Sequence, residues 1–309
     1  MRGRWATLPC WANHMQAQRA QLPDGRWHFQ HGPMDVIIGA TGDALALRDA
    51  HAQAWERFTN ILQELVQELP LLRRPLQGVC PVQGPIARRM WLACKPHQSI
   101  FITPMAAVAG SVAQELVRFY RVDGIQRAWV NNGGDIAIYL AANTSVRVGL
   151  YASLEKLDAQ QLQDGVTVDG QFEIGCASAV RGVATSGWRG RSFSLGIADS
   201  VTVLARTAAE ADAAATVIAN AVNLQDERIV RRPACDIKDD SDLCARLVTV
   251  DVPPLPPELI SQALAAGLAR ASTLRAQGLI CSAVLVCQNQ HMTTDIAMQT
   301  QPAELANCS

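Results

Sequence analysis

The pattern of hydrophobic and polar residues along the chain predicts strands that are interspersed with helices. Residues 26–31 alternate in the manner of a hairpin strand and residues 34–39 form a short apolar run, so two strands open the fold. Over residues 44–68 the apolar positions recur at helical spacing, and Pro70 is expected to close this amphipathic helix. A short helix that begins with proline is predicted for residues 85–94.

The remaining chain predicts three further helices and a series of strands. Residues 104–121 are rich in small side chains, which indicates a helix that packs closely on a sheet or on a ligand. An alanine-rich helix of high intrinsic propensity is predicted at 208–222 and another helix at 257–277. The charged, proline-interrupted segment 228–243 is expected to be a surface loop. The predicted strands are residues 128–130, 136–140, 146–151, 171–176, 200–205, 248–252 and 278–286.

The chain has the size and composition of a globular protein. Its 309 residues can bury a full core, and 49% are hydrophobic against 18% charged. Because the sequence has no internal repeat and no low-complexity linker, we expect a single domain over 1–309, with 288–309 as a polar, frayed tail. The net charge of -1 argues against nucleic acid as the main partner.

The hydrophobic pattern predicts neither a secretory leader nor a membrane span. The first residues lack the apolar stretch of a signal peptide, and no apolar run is long enough for a spanning helix. The nine cysteines include no C-x-x-C pair, so we expect reduced thiols in a cytoplasmic protein. The histidines form no H-x-x-x-H pattern, and a zinc site is not expected.

A polar turn that contains two glycines lies between the predicted strands at residues 128–130 and 136–140. Gly133 and Gly134 free the backbone for positive φ and for close approach by another group. Asn131, Asn132 and Asp135 supply polar side chains beside them. An ordinary tight hairpin turn would produce the same pattern, so the turn alone does not distinguish ligand binding from a simple chain reversal.

A second polar glycine loop, residues 184–192, favours ligand binding. It contains Thr185, Ser186, Gly187 and Arg189, and it is followed by a strand and then by the alanine-rich helix. We expect the two glycine loops to face each other across one cleft.

The alanine-rich helix carries candidate metal ligands. Asp212 and Thr216 are four residues apart and therefore lie on one helical face. A carboxylate and a hydroxyl, completed by a backbone carbonyl, water and substrate phosphate oxygens, suit Mg²⁺, which seldom has an all-protein cage. A solvated Asp and Thr at this spacing is the alternative, because the D-x-x-x-T pattern alone is common on helices.

The order N-x-G-G-D-I, A-T-S-G, strand and A-D-x-x-x-T resembles the ApbE superfamily. The similarity extends over about residues 103–223, and the whole chain is most similar to a cytoplasmic branch of bacterial and archaeal proteins. The resemblance implies an α+β, T-fold-related domain of mainly antiparallel sheets with packed helices. The matching residues are Asn131, Gly133, Gly134, Asp135 and Ile136, then Ala184 to Gly187, then Ala211, Asp212 and Thr216.

Proteins of this superfamily are flavin transferases that move FMN from FAD onto a Thr or Ser of a target protein with Mg²⁺. The resemblance therefore implies Mg²⁺ and FAD as ligands and a protein as a second substrate. The sequence leaves a homo-oligomer open. It implies that both glycine loops and Met105 contact the cofactor and that Asp212 and Thr216 hold the metal. Asp135 or Asp199 would then accept a proton.

Three departures from the superfamily pattern limit this inference. Ala109 and Gln114 stand where the transferases have lysine and aspartate, and Gly196 stands where they have histidine. The missing lysine removes a cation that faces phosphate, which Arg189 or Arg191 could replace, and the missing histidine removes a candidate proton acceptor. The export signal and lipid-anchoring cysteine of the superfamily are also not found.

Three functions remain open on the sequence. The first is an Mg²⁺-dependent enzyme that transfers FMN from FAD or cleaves its pyrophosphate. The second is a flavin- or nucleotide-binding protein without transfer activity. The third is a small-molecule catabolic enzyme that reuses the same cleft.

Overall fold

The computed structural model describes residues 16–150, 170–190, 192–239 and 241–294. The strands are β1 (Gln18–Gln21), β2 (Trp27–His31), β3 (Met34–Gly42), β4 (Ile125–Asn132), β5 (Asp135–Leu140), β6 (Ser145–Leu150), β7 (Gly170–Gly175), β8 (Gly182–Ser186), β9 (Ser200–Ala205), β10 (Val230–Pro233), β11 (Leu247–Asp251), β12 (Ser282–Cys287) and β13 (Gln290–Thr293). The helices are α1 (Ala44–Leu72), α2 (Pro85–Cys94), α3 (Val108–Val117), α4 (Ala208–Ala221), α5 (Ala234–Ile237) and α6 (Pro257–Ala276). Single 3₁₀ turns lie at Lys95–His97, Pro104–Ala107 and Arg118–Tyr120.

A nine-stranded sheet in the order β1-β2-β3-β4-β5-β8-β9-β12-β13 forms the centre of the fold. Every neighbouring pair in it is antiparallel. The β6–β7 and β10–β11 pairs form two small antiparallel sheets of their own. The predicted α+β class with mainly antiparallel sheets and packed helices is therefore confirmed.

The central sheet is covered on both faces. On one face, alternate residues such as Val36 and Val130 pack against the helices in the main core. On the other face, Ile138 and Leu204 pack with Val148 of the β6–β7 hairpin in a second core. Because both faces are covered, β9 is buried along its whole length, which explains its continuous apolar sequence.

Helix α1 begins and ends for different physical reasons. The Asp43 carboxylate accepts hydrogen bonds from the backbone amides of Leu45 (2.9 Å) and Ala46 (3.0 Å), and so caps the N-terminus. The helix continues past Pro70 to Leu72, which corrects its predicted end. A proline in the last turn removes only one intrahelical hydrogen bond, so the turn can still form.

The helix predicted for 104–121 is divided into a 3₁₀ turn, α3 and a second 3₁₀ turn. The division falls at Ala107, whose backbone leaves the helical region (φ -131°, ψ 19°). The close packing expected of its small residues is present, because a Cβ atom added to Gly110 would lie 2.2 Å from the carbonyl oxygen of Ala208 in α4. The first amides of α3 consequently lie against α4.

Two segments expected to be irregular contain regular structure. Strand β10 and helix α5 lie within the predicted 228–243 loop. The charged side chain of Arg231 in β10 is accommodated because its guanidinium donates to Asn223 Oδ1 at 2.6 Å. Strand β13 pairs with β12 through a two-residue turn in which Gln288 and Asn289 have positive φ. The frayed tail predicted from 288 is therefore wrong for these residues, and 295–309 lie outside the described part of the chain.

None of the helices in the described ranges combines the length and the apolarity needed to cross a membrane.

Candidate functional site

Two aspartates from separate sequence motifs meet between the sheet and the helices. Asp135 is the first residue of β5 and is 7% exposed, and Asp212 lies half-buried in the second turn of α4. Their carboxyl groups are in hydrogen-bonding contact. We call Asp135 and Asp212 the carboxylate pair. The fold thus joins the N-x-G-G-D-I turn to the A-D-x-x-x-T helix.

Backbone amides at the start of α3 hold the Asp212 carboxylate. The Gly110 amide donates to Asp212 Oδ2 at 2.9 Å, and the Ala109 amide also donates to this carboxylate. The residue before α3, Ala107, has no side chain that could cap the helix. Asp212 therefore supplies the missing N-terminal cap from another helix, and its charge lies at the positive end of the α3 dipole.

Further hydrogen bonds fix Asp135 and the turn that carries it. The Thr185 amide at the end of β8 donates to Asp135 Oδ1 at 3.2 Å. The Asn132 side-chain amide donates to the Ala109 carbonyl oxygen at 3.2 Å and ties the turn to α3. Asn132 is 6% exposed, so its side chain serves this contact within the protein. The carboxylate pair is therefore held from both sides by groups on rigid elements.

The surroundings of the pair favour the protonated form of both carboxyl groups. Burial raises the pKa of Asp135 to about 7, although the Thr185 amide and the contact with Asp212 oppose the change. Burial and the negative charge of Asp135 raise the pKa of Asp212, although the Gly110 amide opposes this. Within the described residues, no Lys, Arg or His forms an ion pair with either carboxylate.

This arrangement fits a hard divalent cation. Two adjacent carboxylates lack a positive partner among the described residues, and carboxylate oxygens are ligands that Mg²⁺ prefers. The described ranges contain no cluster of three or more His, Cys, Asp or Glu side chains, so the protein would supply few ligands. Thr216 is half-buried one turn further along α4, on the same face as Asp212. Such a sparse oxygen site suits Mg²⁺, which retains waters, better than Zn²⁺.

The two predicted glycine loops lie side by side at one end of neighbouring strands. Strands β5 and β8 are paired through Ile136 and Val183, and this pairing brings the β4–β5 turn next to the end of β8. That the two loops face each other across a ligand cleft stays a prediction. Gly133 and Gly134 form a two-residue hairpin turn with φ of 65° and 114°. A Cβ atom at Gly134 would meet no atom within 4 Å, so the space beside the turn is open. Asn131 Oδ1 accepts from the Gly134 amide (2.8 Å) and stabilises the turn itself.

The second loop contributes its backbone more than its side chains. The Thr185 hydroxyl contacts the Thr202 hydroxyl (2.9 Å) on the face of the sheet that is turned away from the helices. A Cβ atom on Gly187 would lie 2.2 Å from the carbonyl oxygen of Asp199, so close chain packing requires a glycine here. The contact of Gly187 with a cofactor stays a prediction. Ser186 lies one residue beyond Thr185, and strand alternation places it on the side of the helices.

Asp199 and Arg189 contact each other rather than the carboxylate pair. Arg189 Nε lies 3.1 Å from Asp199 Oδ1, and the Trp188 indole donates to the same oxygen at 3.2 Å. The Gln288 amide donates to Asp199 Oδ2 at 2.6 Å. Both carboxylate oxygens are thus engaged in holding the chain. The proton-acceptor role of Asp199 and the phosphate-facing role of Arg189 stay predictions. Arg191 lies outside the described residues.

The departures from the superfamily pattern have structural explanations. A Cβ atom on Gly196 would lie 2.1 Å from the carbonyl oxygen of Ala219, so the backbone leaves no room for a histidine. The Gln114 side chain accepts from the Ala209 amide (3.3 Å) near the start of α4. Met105 is half-buried in the 3₁₀ turn and packs against the main core, and its contact with a cofactor stays a prediction.

The amides of Ala109 and Gly110 are the site groups that sequence reasoning missed. The run of small residues at 104–113 was a signal of close packing, but it did not indicate that α3 begins inside the predicted helix. That new helix start creates the free amides. Only the position of Asp212 in space shows that they are used.

The geometry defines a class of protein. Its members have an antiparallel α+β fold with a carboxylate pair between the sheet and the helices. A sequence model of the family described as AbpE bacteria matches residues 19–294. The chain belongs to this family, and the predicted ApbE-like relationship is confirmed.

Similar curated proteins come from archaea. The UPF0280 protein of Methanothermobacter thermautotrophicus is 35% identical over 180 residues, which cover 58% of this chain and 65% of that protein. The UPF0280 protein of Methanosarcina barkeri is 33% identical over 205 residues, which cover 65% and 74% of the two chains. The chain spans slightly less than two thirds of the first of these relatives. Among solved structures, the apo flavinyl transferase ApbE of Pseudomonas stutzeri aligns with a TM-score of 0.45 and 12% identity, over 90% of this chain and 94% of that one.

Proposed function

We propose that this protein binds Mg²⁺ through Asp135 and Asp212 and uses the ion to hold the pyrophosphate of a flavin dinucleotide, FAD. The observation that supports the proposal is the carboxylate pair, in which buried Asp135 contacts half-buried Asp212 and which has no cationic partner among the described residues. Two adjacent carboxylates that are withdrawn from water cost free energy unless a cation neutralises them. Mg²⁺ bound by one or two carboxylates and by substrate phosphates is a common arrangement in nucleotide sites.

The choice of a flavin dinucleotide is supported by the sequence motifs. The N-x-G-G-D-I turn and the A-D-x-x-x-T helix resemble the corresponding segments of flavin transferases, and their two aspartates form the carboxylate pair. The chain also belongs to an ApbE-like family. The open space beside Gly134 allows a ligand to approach the backbone of the turn.

Each residue of the site has a distinct part in the proposed binding. When bound, the ion would neutralise phosphate charge. Asp135 and Asp212 would hold it, with Thr216 as the next oxygen on the same helical face. The amides of Gly110 and Thr185 keep the two carboxylates in place before any ligand arrives. This preorganisation reduces the entropy lost on binding.

Binding without transfer is the second candidate, and specific observations favour it over FMN transfer. Ala109 has no charge, Gly196 has no room for a side chain, and both oxygens of Asp199 are already engaged. General-base assistance contributes roughly 10²–10⁴-fold to a rate. We therefore propose that the chain binds FAD more effectively than it transfers FMN or cleaves the pyrophosphate.

The proposed cellular setting follows from the cysteines. All seven cysteines in the described part of the chain are free thiols, and Cys94 and Cys287 are buried. Such thiols persist in a reducing compartment, so we place the protein in the cytoplasm. A protein substrate and a homo-oligomer remain compatible with the proposal.

Calorimetric titration with FAD, in Mg²⁺ or in EDTA, tests the proposed function. We expect Mg²⁺ to strengthen FAD binding by about tenfold or more, because the carboxylate pair would hold the ion and the ion would neutralise the charge of the pyrophosphate. Asp212→Asn keeps the hydrogen-bond acceptor for α3 and should lose this dependence on Mg²⁺. Asp123→Asn, at an exposed position, is the matched control and should behave as the unmodified chain.

Product analysis separates binding from transfer. The protein is incubated with FAD and a threonine-containing target peptide in Mg²⁺ or in EDTA, and AMP release and covalent FMN are measured by mass spectrometry. Equal FAD affinity in Mg²⁺ and EDTA would refute the cation role. Absence of FAD binding would refute the flavin assignment, and rapid transfer would refute our preference for binding alone.

A further inference from the structure

A groove of about 720 Å³ lies on the sheet face opposite the helices. We call it the outer groove and define it by Arg26, Arg127, Trp129, Arg147 and Glu173, which are among its lining residues. Arg127 and Trp129 alternate along β4 with residues that face the main core, so they point away from the helices. Neither member of the carboxylate pair lines this groove.

Trp129 forms a flat aromatic surface in the outer groove. Its partner across the β3–β4 ladder is Gly39, and a Cβ atom there would lie 2.5 Å from Cε2 of the indole. The indole therefore lies against the backbone of Gly39. The side chain of any other residue at position 39 would clash with the ring in this place. The Arg26 guanidinium lies 5.9 Å from the centre of the ring. The ring is half-buried and part of its surface remains open.

Arg127 brings positive charge to the groove, and it forms no ion pair with an acidic residue in the described part of the chain. Its Nε donates to Thr41 Oγ1 (3.3 Å) and its Nη1 donates to the Ser145 carbonyl oxygen (3.2 Å). These neutral acceptors orient the guanidinium but leave its charge uncompensated. Arg26, in contrast, donates to the Asp24 carboxylate at 2.7 Å.

Arg147 is the second uncompensated cation. It is exposed and stands directly opposite Glu173 in the β6–β7 register, where an ion pair would be expected. The Glu173 carboxylate instead accepts from the Ser145 hydroxyl, and no ion pair of Arg147 forms within the described residues. Three arginines against Asp24 and Glu173 leave the lining with one positive charge in excess.

We propose that the outer groove binds a small planar organic anion. The planar group stacks on Trp129 beside Arg26, and a phosphate or carboxylate is held by Arg127 and Arg147. Guanidinium groups match both kinds of oxyanion through paired hydrogen bonds and also stack on aromatic rings. The volume lies within the range of about 300–1,000 Å³ that is usual for small-molecule sites. The groove is on the other face of the sheet from the carboxylate pair, so this second site does not depend on the proposed function.

Calorimetric titrations of the full chain, in EDTA and at low ionic strength, test the second site. The probes are AMP and benzoate, which combine a ring with an oxyanion, and adenosine and inorganic phosphate, which each lack one feature. We expect AMP or benzoate to bind at least about tenfold more tightly than adenosine or inorganic phosphate, because ring and oxyanion contacts add. The outcome also distinguishes a phosphate from a carboxylate ligand.

Three variants locate the binding. Arg147→Gln should weaken the AMP or benzoate complex by about tenfold or more, since it removes an exposed charge-assisted contact. Arg88→Gln, at an exposed arginine of α2, is the matched control and should leave binding unchanged. Asp212→Asn should also leave it unchanged. Unfolding temperatures verify that each variant is folded.

The proposal fails if neither AMP nor benzoate binds, or if both bind no better than adenosine and phosphate. It also fails if Arg147→Gln binds as tightly as the unmodified chain. Loss of binding in Asp212→Asn would indicate that the ligand binds at the carboxylate pair. This result would refute the second site but would not contradict the proposed function.

Discussion

Replacing Asp135 by asparagine is expected to raise the free energy of unfolding at pH 8 in EDTA by about 1–3 kcal/mol. Asparagine retains an oxygen that can accept from the Thr185 amide and removes a charge that lies beside Asp212. The same change should weaken Mg²⁺ binding by at least the roughly 10–100-fold that the loss of an outer-shell partner costs. A group that destabilises the fold but is needed for a ligand is typical of a binding site.

The pH dependence of this effect has a definite sign. Burial raises the pKa of Asp135 to about 7 in the folded protein, so the folded chain holds this proton more tightly than the unfolded chain. The favourable contribution is fully present below the ordinary pKa of the carboxyl group and is lost as the pH rises through about 7. The advantage of Asp135→Asn should therefore be large at pH 8 and small at pH 4.

Urea unfolding at both pH values and calorimetry with Mg²⁺ measure the two effects of Asp135→Asn. Asp123→Asn is again the control, because this exposed side chain lies outside the site. A variant that is less stable at pH 8 would show that the carboxylate pair serves the fold. In that case the pair would lose its value as evidence for a cation site.

Replacing Glu115 by glutamine is expected to lower the free energy of unfolding by about 3–5 kcal/mol at pH 7. Glu115 in α3 is 1% exposed and accepts from Arg57 of α1 and Arg89 of α2, each at 2.9 Å. Arg118 lies 3.3 Å from the same carboxylate. The network joins three helices, and loss of the negative charge would leave partly buried guanidinium groups without full compensation.

Acid should weaken the Glu115 network. Burial by itself raises the pKa of Glu115, but hydrogen bonds from Arg57 and Arg89 and the charge of Arg118 outweigh burial, so the pKa lies below its ordinary value. The contribution of this carboxylate is present above the pKa of the unfolded state and is lost as the pH falls through the lower folded pKa. The difference between Glu115→Gln and the unmodified chain should shrink in strong acid.

Denaturant unfolding of Glu115→Gln at pH 7 and in acid measures this network. The matched control is Glu56→Gln on the exposed side of α1, which should change stability by no more than about 0.5 kcal/mol. A decrease in the free energy of unfolding of less than about 1 kcal/mol would indicate that the Glu115 network contributes no more than surface ion pairs do.

Local pattern was sufficient for most strands and helices of this protein. Alternating residues predicted β2, and the alanine-rich segment at 208–222 predicted α4, because burial of one face imposes a fixed period. It was insufficient where tertiary partners replace local signals. Strand β10 contains charged residues, and Arg231 is accommodated only because Asn223 lies beside it in space.

The sequence by itself determined the candidate aspartates and the resemblance to the ApbE superfamily, because motif residues and their spacings are recorded along the chain, and that resemblance implied the α+β class. Only the tertiary structure decided which candidates act together. Asp135 and Asp212 meet because β5 lies beneath α4 and because Gly110 lets α3 approach α4 closely. Asp199 was an equal candidate on sequence, but the fold placed it beside Arg189 and Trp188. Contacts between residues far apart in sequence depend on how whole elements pack, which no local spacing records.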